Sequence, residues 1–118
     1  CRLVIAVDVG RVINPDGVAN QIEGGAIQAA GWTLREAVRF DRTRIASVDW
    51  ESYPVLRFED VPEVSVELID RLDLPSVGAG EASMGPTAGA IANAVADALG
   101  VRFRALPLTA DRLRAAIG

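Results

Sequence analysis

Ser76-Val77-Gly78-Ala79-Gly80-Glu81-Ala82-Ser83-Met84-Gly85-Pro86 links an alternating run, Val64-Ser65-Val66-Glu67-Leu68-Ile69, to an alanine-rich run that ends at Gly100. The first run has the two-residue period of a half-exposed strand. The second sets Ala88, Ile91, Ala92, Val95, Ala98 and Leu99 on one helical face. Pro86 suits the first helical position, Gly85 its cap and Gly100 its end. The reading is a strand, a glycine-rich loop and a helix, with Glu81 presented at the turn. Ligand-handling groups concentrate at such turns.

Working outward, Leu3 to Val9 is a short apolar run interrupted by Asp8 and closed by Gly10, which fits a buried strand. Asn14-Pro15-Asp16-Gly17 then reads as a helix start: Asn14 as cap, Pro15 first in the helix, and Asp16 at its positive end. This helix is expected to run to Ala37, with Val18, Ile22, Ala26, Ala29 and Thr33 as its core face. Gln21, Gly25, Gln28 and Trp32 form a second stripe. Glycine inside a helix costs roughly 0.5–1 kcal/mol relative to alanine, so Gly24, Gly25 and Gly31 call for a close neighbour. Packing against another element and a ligand held by Gln21 or Gln28 both satisfy that demand.

Beyond Ala37 the spacing predicts a hairpin, Val38–Phe40 with Arg44–Val48, then an irregular segment from Asp49 to Pro62 pinned by aromatic residues. Val101–Leu106 reads as an edge strand and Thr109 as the cap of a terminal helix, Ala110–Ile117. The expected fold is α/β (α+β), with short strands and two main helices packed on a mixed sheet, in a single domain over residues 1–118. Cys1 already lies inside strand-like sequence, so the chain reads as a piece of a longer protein.

Composition narrows the chemistry. Of 118 residues, 12 are basic and 16 acidic, giving a net charge of −4 that does not favour a nucleic-acid surface. No apolar run reaches the length of a membrane span. Histidine is absent and all 12 bases are arginine. That removes the Ser-His dyad, histidine metal ligation, the phosphate-loop lysine and Schiff-base catalysis from this chain. The single cysteine forms no internal disulfide or Cys-x-x-Cys cluster. The remaining proton-transfer groups are a carboxylate or Tyr53, and any metal arrives with a cofactor or from another part of the protein.

Two phosphate-binding patterns fail at the loop. Gly80 and Gly85 have Walker spacing, but Pro86 stands in the lysine position, and Gly78-Ala79-Gly80 is followed by Ser83 in place of the third dinucleotide glycine. Glu81 is then either an acid stabilised by the adjacent helix start or a general base tuned by burial.

Five blocks in order carry a resemblance: Val7-Asp8-Val9-Gly10-Arg11-Val12-Ile13-Asn14-Pro15, Asn20-Gln21-Ile22-Glu23-Gly24-Gly25-Ala26-Ile27-Gln28, Gly78-Ala79-Gly80-Glu81, Ala90-Ile91-Ala92-Asn93-Ala94 and Leu106-Pro107-Leu108-Thr109. Together they resemble the C-terminal part of the molybdopterin-binding subunit of the xanthine dehydrogenase and aldehyde oxidase family. The resemblance implies a molybdenum hydroxylase, which inserts oxygen from water into a C–H bond of an aldehyde or N-heterocycle. It makes Glu81 the general base and places Gln21 and Gly80 against the cofactor. It leaves Gln28 without a role, and this fragment inactive alone. The cofactor implied is molybdopterin, in its cytosine dinucleotide form, carrying molybdenum. Iron–sulfur and FAD groups are expected on other domains or subunits. The implied partners are the rest of the subunit, an iron–sulfur subunit, a flavin or cytochrome subunit, and a small-molecule substrate. Ala82-Ser83-Met84-Gly85 departs from the two prolines that follow the glutamate in many xanthine-oxidising members, and is closer to bacterial aldehyde and heterocycle oxidisers. The alternative reading is a non-catalytic interaction module whose glycine-rich loop docks a partner chain.

Overall fold

In a computed structural model, which describes residues 2–118, the first strand, β1 (Arg2–Asp8), pairs in parallel with β2 (Glu63–Ile69). Arg2 stands opposite Glu63 and Asp8 opposite Ile69. In the chain, the connection between the two strands carries helix α1 (Pro15–Leu34), which packs against β2 and against α2 (Met84–Leu99). A short terminal helix, α3 (Ala110–Ile117), follows Thr109, whose hydroxyl accepts from the Arg112 amide at 3.4 Å.

Local chemistry explains the start of α1. The Asn14 side chain accepts from the Gly17 amide at 3.0 Å, satisfying an otherwise free donor of the first turn. The buried face is the expected one, with Ile22, Ala26, Ala29 and Thr33 all at 0% exposure and Val18 half-buried. The end comes earlier than Ala37, because the Arg35 and Glu36 amides both donate to the Gly31 carbonyl, at 2.8 and 3.1 Å, and close the last turn.

Three further expectations are corrected. The sheet is not mixed: among the described residues it holds two strands, both parallel. The expected hairpin shrinks to one antiparallel bridge, Phe40 with Ile45. There Asp41 Oδ1 takes the Thr43 and Arg44 amides at 2.7 and 2.9 Å, and Ser47 Oγ takes the Arg39 amide at 2.7 Å. Side chains thus capture donors that a ladder needs. Residues 101–106 form no strand either: Arg102 reaches back to Asn93 of α2 at 2.8 Å, and Arg112 of α3 holds the Leu106 carbonyl at 2.7 Å. This segment is tied to helices and not to a sheet edge. Cys1, read as part of the first strand, lies outside the described residues.

The core is small. Its buried apolar side chains are Val9, Ile22, Ala26, Ala29, Ala30 and Leu108, while Val48, Trp50 and Phe58 stand in solvent. Accessible surface is 8193 Å², whereas a compact protein of this mass exposes about 6,200 Å². The radius of gyration, 16.8 Å, also exceeds the roughly 13.5 Å expected of a compact domain this long. An excess of about 2,000 Å² is the scale of a large permanent interface. Among the described residues, no helix is long and apolar enough to cross a membrane.

Candidate active site

The carboxyl end of β1 turns at Gly10, whose φ of +70° lies in the left-handed region. A Cβ there would fall onto the Pro75 carbonyl, so only glycine lets the two segments meet. Beyond the strands the meeting continues as hydrogen bonds: Arg71 N to Gly10 O at 3.2 Å, Arg11 N to Leu74 O at 3.2 Å, and Val77 N to Val9 O at 3.0 Å. Ser76 Oγ donates to the Arg11 carbonyl at 2.5 Å. Asp8 receives the Gly10 amide at 2.9 Å and the Arg71 guanidinium at 3.7 Å. Arg71 also binds Asp73, and its hydrogen bonds hold that carboxyl below its ordinary value. These bonds fix where the glycine-rich loop leaves β2.

The loop then folds onto α1. Ser83 Oγ, 3% exposed at the residue level, donates to the Ile22 carbonyl at 2.8 Å. A buried bond of this kind contributes about 1 kcal/mol. Gly25 lies directly beneath: a Cβ there would meet Ser83 Oγ at 2.6 Å, Met84 Cγ at 3.5 Å and the Gly80 carbonyl at 3.7 Å. One turn earlier, Gln21 Oε1 would lie 3.8 Å from a Cβ on Gly80. The structure therefore brings Gln21 and Gly80 together, although they are distant in sequence.

The second stripe of α1 divides under this geometry. Gly25 is the close approach that its sequence position called for, and Gly31 is another, lying under the Glu36 carboxylate. Gly24 has no such neighbour, and Gln28 is exposed. Glu81 is exposed at the crest of the turn, its carbonyl accepting from the Met84 amide at 3.1 Å. Among the described residues, no hydrogen bond or ion pair engages its carboxylate.

Between the loop and the first turns of α1 lies an open cleft of about 430 Å³. Arg11, Asn14, Gln21, Ser76, Val77 and Ala79 are among its lining residues, and Glu81 is not. Arg11, Asn14 and Ser76 escaped the sequence reading as wall residues. Arg11 follows Gly10, Asn14 was read as the helix cap and Ser76 as the start of the glycine-rich loop, and none of these placements marks a wall residue. Ser83 escaped as well, because its partner Ile22 lies on another element. No group of three or more histidine, cysteine, aspartate or glutamate side chains fit to hold a metal occurs among the described residues. Amide and hydroxyl groups beside a glycine-lined approach suit one wall of an organic cofactor's site, with the metal held by that cofactor.

This arrangement has close counterparts among known proteins. A sequence model of the molybdopterin cofactor-binding domain matches residues 1–62, and the chain belongs to that family. It is 46% identical over 117 residues, 99% of its length, to one of the subunits of nicotinate dehydrogenase from Pseudomonas putida, covering 10% of that protein. It is 30% identical over 119 aligned positions, 95% of its length, to the aldehyde oxidoreductase molybdenum-binding subunit PaoC of Escherichia coli K12, covering 16% of it. The crystal structure of quinoline 2-oxidoreductase from Pseudomonas putida 86 superposes with a TM-score of 0.86 at 30% identity, over 97% of this chain and 16% of that one. The chain thus spans between a tenth and a sixth of the length of these relatives.

Proposed function

We propose that this chain is the C-terminal part of the molybdopterin-binding subunit of a molybdenum hydroxylase, and that Glu81 is its general base. In this reading the enzyme replaces a C–H bond of an aldehyde or N-heterocycle with C–OH, taking the oxygen from water and releasing two protons and two electrons. The bound molybdenum cofactor, read as the cytosine dinucleotide form of molybdopterin, supplies the two-electron chemistry. The chain's own residues do the rest locally. The Glu81 carboxylate accepts one proton as oxygen is delivered. Gln21 orients the cofactor through its amide, and Gly80 lets the cofactor approach the loop backbone.

The observation that carries the reading is the convergence of Gln21 with the Gly80–Glu81 turn, with Glu81 left uncommitted to any partner among the described residues. The relatives' names point to substrates such as nicotinate and aldehydes, and an N-heterocycle or aldehyde is the substrate class we assign. The excess exposed surface fits burial against the rest of the subunit. Iron–sulfur and flavin or cytochrome subunits would complete the electron path.

The test is Glu81→Gln in the full-length enzyme. A positioned acid–base group contributes roughly 10²–10⁴-fold, so turnover per bound molybdenum should fall by about that factor while the metal is retained. Turnover near wild type with full metal content would sink the base and favour the docking-module reading. Gln21→Ala should lower molybdenum content, and unchanged content with unchanged activity removes Gln21 from the site.

A further inference from the structure

We propose that Ser83 is the positioning residue of the Gly80–Glu81 turn: its hydroxyl latches the loop to α1 and thereby sets where the Glu81 carboxylate stands. The inference deepens the general-base reading and rests on it. Ser83 occupies the N-cap position of α2, where a serine hydroxyl ordinarily receives an amide of the first turn. Here it makes no such cap bond and instead donates across the molecule to the Ile22 carbonyl at 2.8 Å. The anchor is firm, because Ile22 is 0% exposed.

The opposing helix is shaped for this hydroxyl. A Cβ on Gly25 would stand 2.6 Å from Ser83 Oγ, a separation real side chains do not tolerate. Removing that oxygen leaves Met84 Cγ at 3.5 Å and the Gly80 carbonyl at 3.7 Å, both ordinary contacts. A side chain at position 25 and the Ser83 hydroxyl therefore compete for the same space.

The latch reaches Glu81 through a short, hydrogen-bonded path. Ala82 N donates to Ala79 O at 3.4 Å, and Met84 N to Glu81 O at 3.1 Å, so local hydrogen bonds tie the turn on both sides of Ser83. A misplacement of about 1 Å at a catalytic group can cost on the order of 100-fold.

The experiment uses the full-length, cofactor-loaded enzyme with Ser83→Ala, Gly25→Ala, the double variant and Glu81→Gln. For Ser83→Ala we expect kcat to fall about 10- to 100-fold, with KM, molybdenum content and thermal midpoint close to wild type. Amide exchange across residues 79–82 should accelerate. Gly25→Ala should lose activity similarly, and the double variant should be no worse than Ser83→Ala, since both act through one contact. Wild-type turnover in Ser83→Ala overturns the latch, as does loss of metal and thermal stability with activity per molybdenum unchanged. Multiplying losses in the double variant overturn it too. An inert Glu81→Gln beside a fully active Ser83→Ala defeats the latch alone. An active Glu81→Gln defeats the base reading, and the catalytic role of the latch with it.

Discussion

Residues 38–58 and the junction of α1 with the glycine-rich loop are both supplied with apolar residues, yet they are held in opposite ways. At the junction the bonds span distant parts of the chain: Ser83 to Ile22, Val77 to Val9, Ser76 to Arg11. In residues 38–58 most are short-range, and the longest, Tyr53 to Glu36, spans 17 residues. Asp41 binds the Thr43 and Arg44 amides, and Ser52 and Asp49 bind one another's neighbourhood. Hydrogen bonds from Thr43 and Ser52 hold the Asp41 and Asp49 carboxyls below their ordinary values. Phe40, Val48, Trp50 and Phe58 meanwhile point outward. The junction is structured by its own core, whereas the other segment is held largely by local hydrogen bonds and leaves its apolar groups exposed.

Substitutions can break or sharpen that contrast. Gly10→Ala should be the most damaging, because a side chain there meets both left-handed backbone and the Pro75 carbonyl. We expect a loss of about 4 kcal/mol, seen as a collapse of soluble full-length protein and of metal content. Ile22→Ala should cost about 3 kcal/mol through its cavity, read as a lowered thermal midpoint. Thr33→Val should act in the opposite direction. The Thr33 hydroxyl is buried without a hydrogen-bond partner among the described residues, so its removal should stabilise by up to about 1 kcal/mol.

The smallest effect belongs to the exposed segment. Tyr53 donates its phenol proton to Glu36 Oε2 at 2.9 Å, and that hydrogen bond raises the tyrosine pKa above its ordinary value of 10.0. The folded value is raised, so the contribution is complete below pH 10.0 and is lost as pH climbs through the folded pKa. Tyr53→Phe should accordingly speed amide exchange across residues 48–53 near neutral pH, and the difference should fade in alkali. A difference that persisted unchanged would assign it to packing.

Sequence patterns revealed what depends on neighbours along the chain. Asn14 and Thr109 cap their helices because capping is a local matter between a side chain and the next turn. The glycine-rich loop and Gln21 stood out by composition and helical spacing. The start of α2 at Met84, ahead of the expected Pro86, was hidden, because Ser83 is held by a carbonyl on α1. The shortened hairpin was hidden for a related reason: Asp41 and Ser47 satisfy the backbone in ways that alternating hydrophobicity does not report. The contact of Gln21 with the loop needed the parallel pairing of β1 and β2 before it had any meaning.

That pairing also carries an entropic cost. Arg2 meets Glu63 only after the intervening chain has closed on itself. For roughly 60 residues, closure carries an entropy cost near 3.6 kcal/mol plus a constant, and it precedes any reward from the contacts it permits. The turns of residues 38–58 need no such closure. Gly10 against Pro75 and Gly25 against Ser83 do, so the walls of the cleft rest on contacts that carry this closure cost. A cofactor that uses this wall is met by a surface that exists only once the crossover through α1 has brought β2 beside β1.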